Sequence, residues 1–347
     1  MSVAVKKVNV AIVGTGGFAG EHARALTGDA RSAVAGVYGS DPERRNEFAR
    51  RYGVKSYSSF EECLNDNEVS FVDIVCRHNE HARYGIMAAE AGKNVIVEKP
   101  IDIELEAARR LVDVCAKKGV RLYVISQFRY SQALRKIKKE IEAGSFGRVY
   151  AMNLSMNWHR PQAYYDSSGG WRKRPDLAGG GVLMMQCIHW IDVLLWLGGE
   201  AEGLGCEMRT VSHQIGVEDT ASGQILFKGG AVASFQASTS ASSRQPDRLE
   251  VYGTKGAAAV QNNRIVQWSF GADAKGSRAR WLAVSLIYSM MPWRKGLLGD
   301  QLLDIISNRA EPNGKEALKA LEVIIDLYRC AKRIQCSDAD SQVLKCF

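Results

Sequence analysis

Along the first third of the chain the spacing of apolar positions alternates between two regimes. VNVAIV at 8–13 is a mostly apolar run, and a helix-like spacing follows through Ala23 and Leu26. A second apolar run occupies 33–38, and PERRNEFARRYG reads as the next helix. EVSFVDIVC, NVIVEKP and VRLYVISQF read as further buried strands, separated by the helical segments ARYGIMAAEAG and ELEAARRLVDVCAKKG. Regular alternation of short β-rich runs with helices predicts a doubly wound parallel sheet.

From about Gly147 the rhythm changes. RVYAMNLSMNW, EDTASGQILFK, GAVASFQASTS and DRLEVYGTKGAAAVQ alternate in polarity, the last three in close succession with glycine-rich turns. Consecutive strands without crossover helices predict an antiparallel or mixed sheet. One helix interrupts them, GGGVLMMQCIHWIDVLLWLGG. Leu183, Cys187, Ile191 and Leu194 can form its apolar face, with His189 and Asp192 three apart on another. GDQLLDIISN and KEALKALEVIIDLYRCAKR are helices that end the fold. The expected organisation is a first domain over 1–128, a second over 129–335 and a tail over 336–347.

Composition narrows the class. A chain of 347 residues is long enough for two domains, and 46% hydrophobic with 24% charged residues is ordinary for a globular protein. No window approaches 18 uncharged apolar residues, so no membrane span is expected. MSVAVKKVNVAIVG runs straight into a strand without a cleavage signal, which points to the cytoplasm. The eight cysteines are scattered without any C-x-x-C pair, so neither disulfides nor zinc are expected. The net charge of +8 comes with no basic block interleaved with aromatics, which argues against nucleic acid. Arg135, Lys136, Lys138 and Lys139 have the spacing of a wet helix face. A modest positive balance also suits a protein that holds phosphates.

Three segments carry candidate chemistry. Gly14-x-Gly16-x-x-Ala19, with Gly17 and Phe18 inside it, follows a strand and opens a helix. Such a turn lets the backbone approach a pyrophosphate, whose charge the helix N-terminus favours. At the end of the second strand, Gly39 stands where an acid would bind ribose hydroxyls; Ser40 follows, and Arg44 lies one turn on. A hydroxyl and a guanidinium in place of a carboxylate favour NADP over NAD; Asp41 argues for NAD unless it turns outward as the N-cap of PERRNEFARRYG. In NVIVEKPID, at 94–102, the strand ends in Glu98, Lys99 and Pro100. That is the edge where a parallel sheet presents its working residues. Finally, WHRPQAYYDSSGGWRKRPDL supplies Arg160, Tyr164, Trp171 and Arg172, aromatics suited to sugar faces and arginines suited to carboxylate or phosphate.

With these residues in place the sequence resembles the Gfo/Idh/MocA family of NAD(P)-dependent sugar and cyclitol oxidoreductases, over roughly residues 7 to 335. GTGGFAGEHA, HARYGIMAAEAGKNVIVEKP and GGGVLMMQCIHWIDVLLW after WHRPQAYY carry the resemblance. It implies a Rossmann domain and an α/β domain with a large open mixed sheet that packs into homodimers or homotetramers. It implies that Lys99 and His189 are catalytic, that Asp192 orients the substrate, and that Lys99-Pro100 is a cis peptide. Cys76, His81 and Glu98 would then join Lys99 on the cofactor. The chain departs from the pattern at three places: Met185 stands where Asn or Asp is usual, Cys76–His81 keeps only the final histidine of T-P-x-x-x-H, and Leu298 replaces a late-helix histidine.

The expected activity is hydride transfer between the nicotinamide and a secondary alcohol or ketone of a sugar, cyclitol or sugar derivative, possible anionic groups included. The alternative is a nucleotide-sensing binding protein of the same fold. Retention of both Lys99 and His189 weighs toward the enzyme, because oxidising an alcohol needs a base for the hydroxyl proton.

Overall fold

The computed structural model describes residues 7–270 and 296–338, with side chains described as far as residue 331. Two compact units emerge, dividing at Tyr130 and Ser131. The first takes in two later segments, Asp176–Gly179 and Trp293–Leu321, so neither unit is one continuous stretch. The sequence reading places 129–335 in the second domain. The late helix returns to the first unit because its apolar side chains complete that core: Leu302, Leu303, Ile305 and Ile306 cluster with Ala19, Ala23 and Leu26.

The first unit is built on six strands: β1 (Val8–Val13), β2 (Ser32–Tyr38), β3 (Lys55–Ser56), β4 (Phe71–Ile74), β5 (Asn94–Val97) and β6 (Leu122–Val124). They lie in the order β3-β2-β1-β4-β5-β6 with every pairing parallel. The helices are α1 (Gly17–Thr27), α2 (Pro42–Tyr52), α3 (Phe60–Asn65), α4 (His81–Glu90) and α5 (Leu105–Lys118). Because the sheet is covered by helices, the central strands need apolar residues on both faces. Val10 to Val13, and Val95 to Val97, are accordingly at most 1% exposed.

The second unit begins with α6 (Gln132–Glu142) and has seven strands: β7 (Val149–Asn157), β8 (Ala201–Arg209), β9 (Thr220–Phe227), β10 (Val232–Ser238), β11 (Arg248–Gly253), β12 (Gly256–Gln261) and β13 (Arg264–Phe270). Their order is β13-β12-β11-β7-β10-β9-β8; only β7 and β10 pair in parallel, so the sheet is mixed. The outer strands β8 and β13 were not legible in the sequence, and DRLEVYGTKGAAAVQ is a hairpin of two strands. Edge strands bury less, and β8 shows only two buried positions in nine, which weakens the alternation that would reveal it.

Short helices α7 (Gln162–Asp166) and α8 (Pro175–Ala178) precede the buried segment 182–198. That segment is not one α-helix: Leu183–Cys187 is a π-helix, followed by α9 (Ile188–Gly198). Its apolar residues are buried nearly all round, so there is no single apolar stripe at 183, 187, 191 and 194. The stretch Pro175–Gly198 is long and apolar enough to cross a membrane, contrary to the sequence reading, but 83% of its most apolar window is buried inside the protein. The remaining helices are α10 (Gly296–Ile306) and α11 (Gly314–Asp338), the last running from the first unit into the second.

The glycines before the π-helix have a steric reason. A Cβ on Gly181 would lie 1.7 Å from the Glu218 carbonyl oxygen, and one on Gly180, where φ is +154°, 1.9 Å from the Tyr328 hydroxyl. The close approach lets the buried Glu218 carboxylate accept the N–H groups of Gly181 and Leu183 at 2.8 and 2.9 Å, and the Tyr328 hydroxyl at 2.8 Å. It thus caps a helix start that has no solvent. Burial raises the Glu218 carboxyl above its ordinary range despite these donors. Gly181→Ala should therefore cost roughly 3 kcal/mol or more by overpacking, read as a lower urea midpoint. Gly205→Ala, with nothing within 4 Å, should stay within about 0.5 kcal/mol; equal losses would refute this account.

Candidate active site

The glycine turn at the end of β1 is shaped by sterics. Gly14 has φ +127°, and a Cβ there would sit 2.2 Å from the Val75 carbonyl oxygen. Its N–H donates to the Tyr38 carbonyl at 2.8 Å, so the exits of β1, β2 and β4 converge on it. Gly16 and Gly17 have nothing within 4 Å of an added Cβ, and Phe18 is 43% exposed while Ala19 is fully buried. The N-cap of α1 is Gly16, with no side-chain cap bond and no acid in the first turn. Its free N–H groups therefore face open space with the positive end of the helix dipole behind them. This suits the pyrophosphate of a dinucleotide.

At the end of β2, Asp41 caps α2 by accepting the Glu43 and Arg44 N–H groups, both at 3.1 Å. That is the outward role the sequence suggested. Arg44 makes a 3.6 Å ion pair with Asp41, both side chains more than half exposed, an interaction worth about 0–1 kcal/mol. Ser40 is exposed beside it. Gly39 is sterically constrained, since a Cβ would meet the Thr15 methyl at 2.7 Å. Arg45, which the sequence reading passed over, is held by the Gly39 carbonyl at 3.0 Å and Ser56 Oγ at 3.2 Å.

The exit of β5 is braced by several side-chain bonds to the backbone. Glu98 is buried, and its Oε2 accepts the Lys99 N–H at 3.0 Å. Lys99-Pro100 is cis. The fully buried His81 reaches the Pro100 carbonyl with Nδ1 at 2.7 Å and the Cys76 carbonyl with Nε2 at 3.3 Å. Burial holds its pKa below the ordinary histidine value. Asp102 closes the turn, accepting the N–H groups of Ala82, Ile103 and Glu104 at 2.9, 2.8 and 3.0 Å. His81 and Cys76 thus serve this edge as braces, and Cys76 is itself half-buried. Lys99, half-buried, stands at the end of a strand one removed from β1 in the sheet. At about 4.8 Å per strand that is roughly 10 Å of lateral separation.

The sequence missed a further residue here. His22, on the second turn of α1, is fully buried with Nδ1 2.8 Å from Asp73 Oδ2 and Nε2 3.1 Å from Glu98 Oε1. A histidine placed among the apolar positions of a helix was the available signal.

In the second unit, His189 is half-buried and Asp192 is 6% exposed, on α9. Met185 is 5% exposed within the π-helix. Met185 thus lies in a π turn and His189 in the α-helix that follows it. Leu298, where the late histidine is usual, packs against the first unit's apolar core. Arg160, Tyr164, Trp171 and Arg172 do come together. The Arg160 guanidinium lies over Trp158 at 5.2 Å and Tyr164 at 5.0 Å, and that of Arg172 over Tyr164 and Trp171, both at 4.7 Å. Arg244 covers Trp158 at 4.6 Å, extending the alternation of cation and ring. Arg160 Nε is buried without a hydrogen-bond partner. The Tyr164 hydroxyl accepts from Gln186 Nε2 at 3.2 Å, tying this loop to the π-helix.

Residues 8–126 match the model of the oxidoreductase family with an NAD-binding Rossmann fold, and residues 134–259 match the GFO/IDH/MocA C-terminal domain. The chain is 28% identical over 292 residues to levoglucosan dehydrogenase of Pseudarthrobacter phenanthrenivorans, covering 75% of this chain and 74% of that one. It is 29% identical over 232 residues to 1,5-anhydro-D-fructose reductase of Ensifer adhaerens, covering 66% and 68%. Among solved structures, the WlbA dehydrogenase of Bordetella pertussis in complex with NADH and UDP-GlcNAcA superposes with a TM-score of 0.84 at 27% identity, covering 95% of this chain and 97% of that one. A strand-to-helix glycine turn open to a pyrophosphate, a braced lysine at the neighbouring edge and both family models in sequence order lead to one conclusion: the chain belongs to the GFO/IDH/MocA family and is an NAD(P)-dependent oxidoreductase.

Proposed function

We propose that this enzyme transfers a hydride between the nicotinamide and a secondary alcohol or ketone of a carbohydrate, with Lys99 exchanging the hydroxyl proton. The observation that carries this reading is the bracing of Lys99: Glu98, His81 and Asp102 all fix the turn from which it projects. Placing a proton-transfer group to within a fraction of an ångström accounts for such investment in a five-residue segment. Gly14, Gly16, Gly17, Phe18, Ala19 and the start of α1 would hold the pyrophosphate, and the nicotinamide supplies the hydride chemistry when bound. In the oxidative direction Lys99 Nζ, unprotonated, accepts the hydroxyl proton as the C–H bond gives up its electron pair. In reduction the ammonium returns it. His189 is assigned to the substrate oxygen and Asp192 to substrate orientation. Relatives named as a levoglucosan dehydrogenase and an anhydrofructose reductase support a carbohydrate substrate.

NADP(H) is the proposed cofactor. Arg44 is exposed and only lightly held, so it can turn onto a 2′-phosphate, with Ser40 adjacent and no carboxylate at Gly39. The substrate is proposed to carry an anionic group. Arg160 and Arg172 are flattened on aromatic faces that also suit a sugar ring, and a guanidinium edge presented this way matches carboxylate or phosphate bidentately.

Three outcomes follow. Lys99→Ala should lower turnover about 10²–10⁴-fold with the cofactor dissociation constant unchanged by fluorescence titration, and His189→Ala should cost less; full turnover in Lys99→Ala would end this mechanism. In the parent protein NADPH should bind more tightly than NADH, and Arg44→Ala should weaken NADPH about tenfold, near 1.4 kcal/mol, while leaving NADH almost unchanged. Tighter NADH in the parent would reverse the cofactor assignment. For an anionic sugar substrate, Arg172→Ala should raise KM about tenfold or more with kcat little changed; an unaltered KM would remove Arg172 from the site.

A further inference from the structure

His22 has a carboxylate on each ring nitrogen. Asp73 lies in β4, paired with Ile12 of β1 and Ile96 of β5, so the sheet fixes its backbone on both sides. Glu98 follows β5 directly, and its N–H donates to the Ile74 carbonyl at 2.9 Å. The imidazole therefore joins the helix that carries the glycine turn to the central strand and to the exit that carries Lys99. With both carboxyls ionised, each ring nitrogen must donate, so the ring then carries both protons. The groups facing the ring are Asp73 from β4, Glu98 from the β5 exit and, within α1, the edge of the Phe18 ring at 5.5 Å. Burial alone would push the ring's pKa down; the charges and hydrogen bonds of Asp73 and Glu98 outweigh it and bring it to about 10. Two carboxylates and one imidazolium leave a net buried charge of −1.

We propose that His22 is a positioning residue for the reaction: held by Asp73, it pins the Glu98 carboxylate, whose other oxygen accepts the Lys99 backbone N–H and so fixes Lys99 at the sheet edge. The inference rests on the proton-transfer role given to Lys99. Glu98 has two oxygens and spends one on each neighbour, Oε1 on His22 and Oε2 on Lys99. Without the imidazolium, Asp73 and Glu98 would be left as two buried carboxyl groups with no cation between them, and an uncompensated buried charge is strongly unfavourable. Glu98 would then be repelled from its place whenever both ionise. Charge balance, and not bulk, is what His22 supplies.

The test is a charge-balance cycle of His22→Gln, Asp73→Asn and the double variant, with turnover measured from pH 6 to 9. His22→Gln should lower kcat about 10²-fold, as expected for a misplaced reacting group, with the cofactor dissociation constant changed less than about threefold. Its activity should fall further as pH rises, because ionising both carboxyls without the cation repels Glu98 from its place, a dependence absent from the parent. His22→Gln/Asp73→Asn restores a net charge of −1 and should recover most of kcat and lose the extra pH dependence. Additive losses in the double variant, or a parent-like profile in His22→Gln, overturn the proposal, since a residue that merely fills space predicts additivity. Should His22→Gln not fold by circular dichroism, ¹H–¹⁵N spectra of the parent's histidine rings decide. Both His22 nitrogens should be protonated at pH 7.5, and a neutral tautomer refutes the assignment. The spectra do not depend on catalysis, so full turnover in Lys99→Ala would end the mechanism while leaving the imidazolium standing.

Discussion

A single carbon atom added at Gly14 would lie 2.2 Å from the Val75 carbonyl oxygen, and the first unit is organised around that closeness. With no side chain at this position, the end of β1 drops against the exit of β4 while its N–H holds the end of β2. α1 can then begin three residues later with its N–H groups uncapped and uncovered. The anion site is therefore a by-product of backbone packing. It needs no dedicated cationic side chain, because the orphan N–H groups and the helix dipole supply the positive potential.

Around this backbone geometry the protein places buried acids where chain segments must be tied together. Asp102 gathers three N–H groups at the turn after β5. Glu218 caps the π-helix, and Asp247 receives the indole N–H of Trp158 at 2.5 Å and of Trp190 at 3.3 Å. Asp219 accepts the N–H groups of Val211, Ser212 and His213 at 2.8, 3.0 and 3.1 Å, and the His213 ring at 2.8 Å. For Asp219, burial raises the carboxyl but these donors win and hold it at about 2; for Glu218 and Asp247 burial wins. Donor number decides the sign, since Asp219 has more donors than Glu218 or Asp247. Asp219 thus stabilises the fold above the ordinary aspartate pKa, and that contribution is lost as pH falls through about 2.

The aromatic and arginine side chains of 158–172 obey a different logic. They form no ion-paired core; each guanidinium lies on a ring. Stacking covers the faces of the cations, while in the plane Arg172 Nη1 donates to Ser167 Oγ at 3.3 Å and Arg160 Nε is buried without a partner.

The sequence by itself determined the alternating sheet of the first unit, the glycine turn, the outward cap at Asp41, the mixed character of the second sheet and the lysine at a strand end. These are set by periodicity and by residues whose backbone demands are local, so neighbours in sequence suffice to reveal them. Only the tertiary structure decided what depends on atoms far apart in the chain. The return of α10 to the first core, the weakly patterned edge strands β8 and β13, and the π turn beneath His189 all arise from packing against distant segments. His22 shows the reason most plainly. Its partners lie 51 and 76 residues away, and no spacing rule connects a histidine on one helix to carboxylates on two strands until the sheet has brought their backbones side by side.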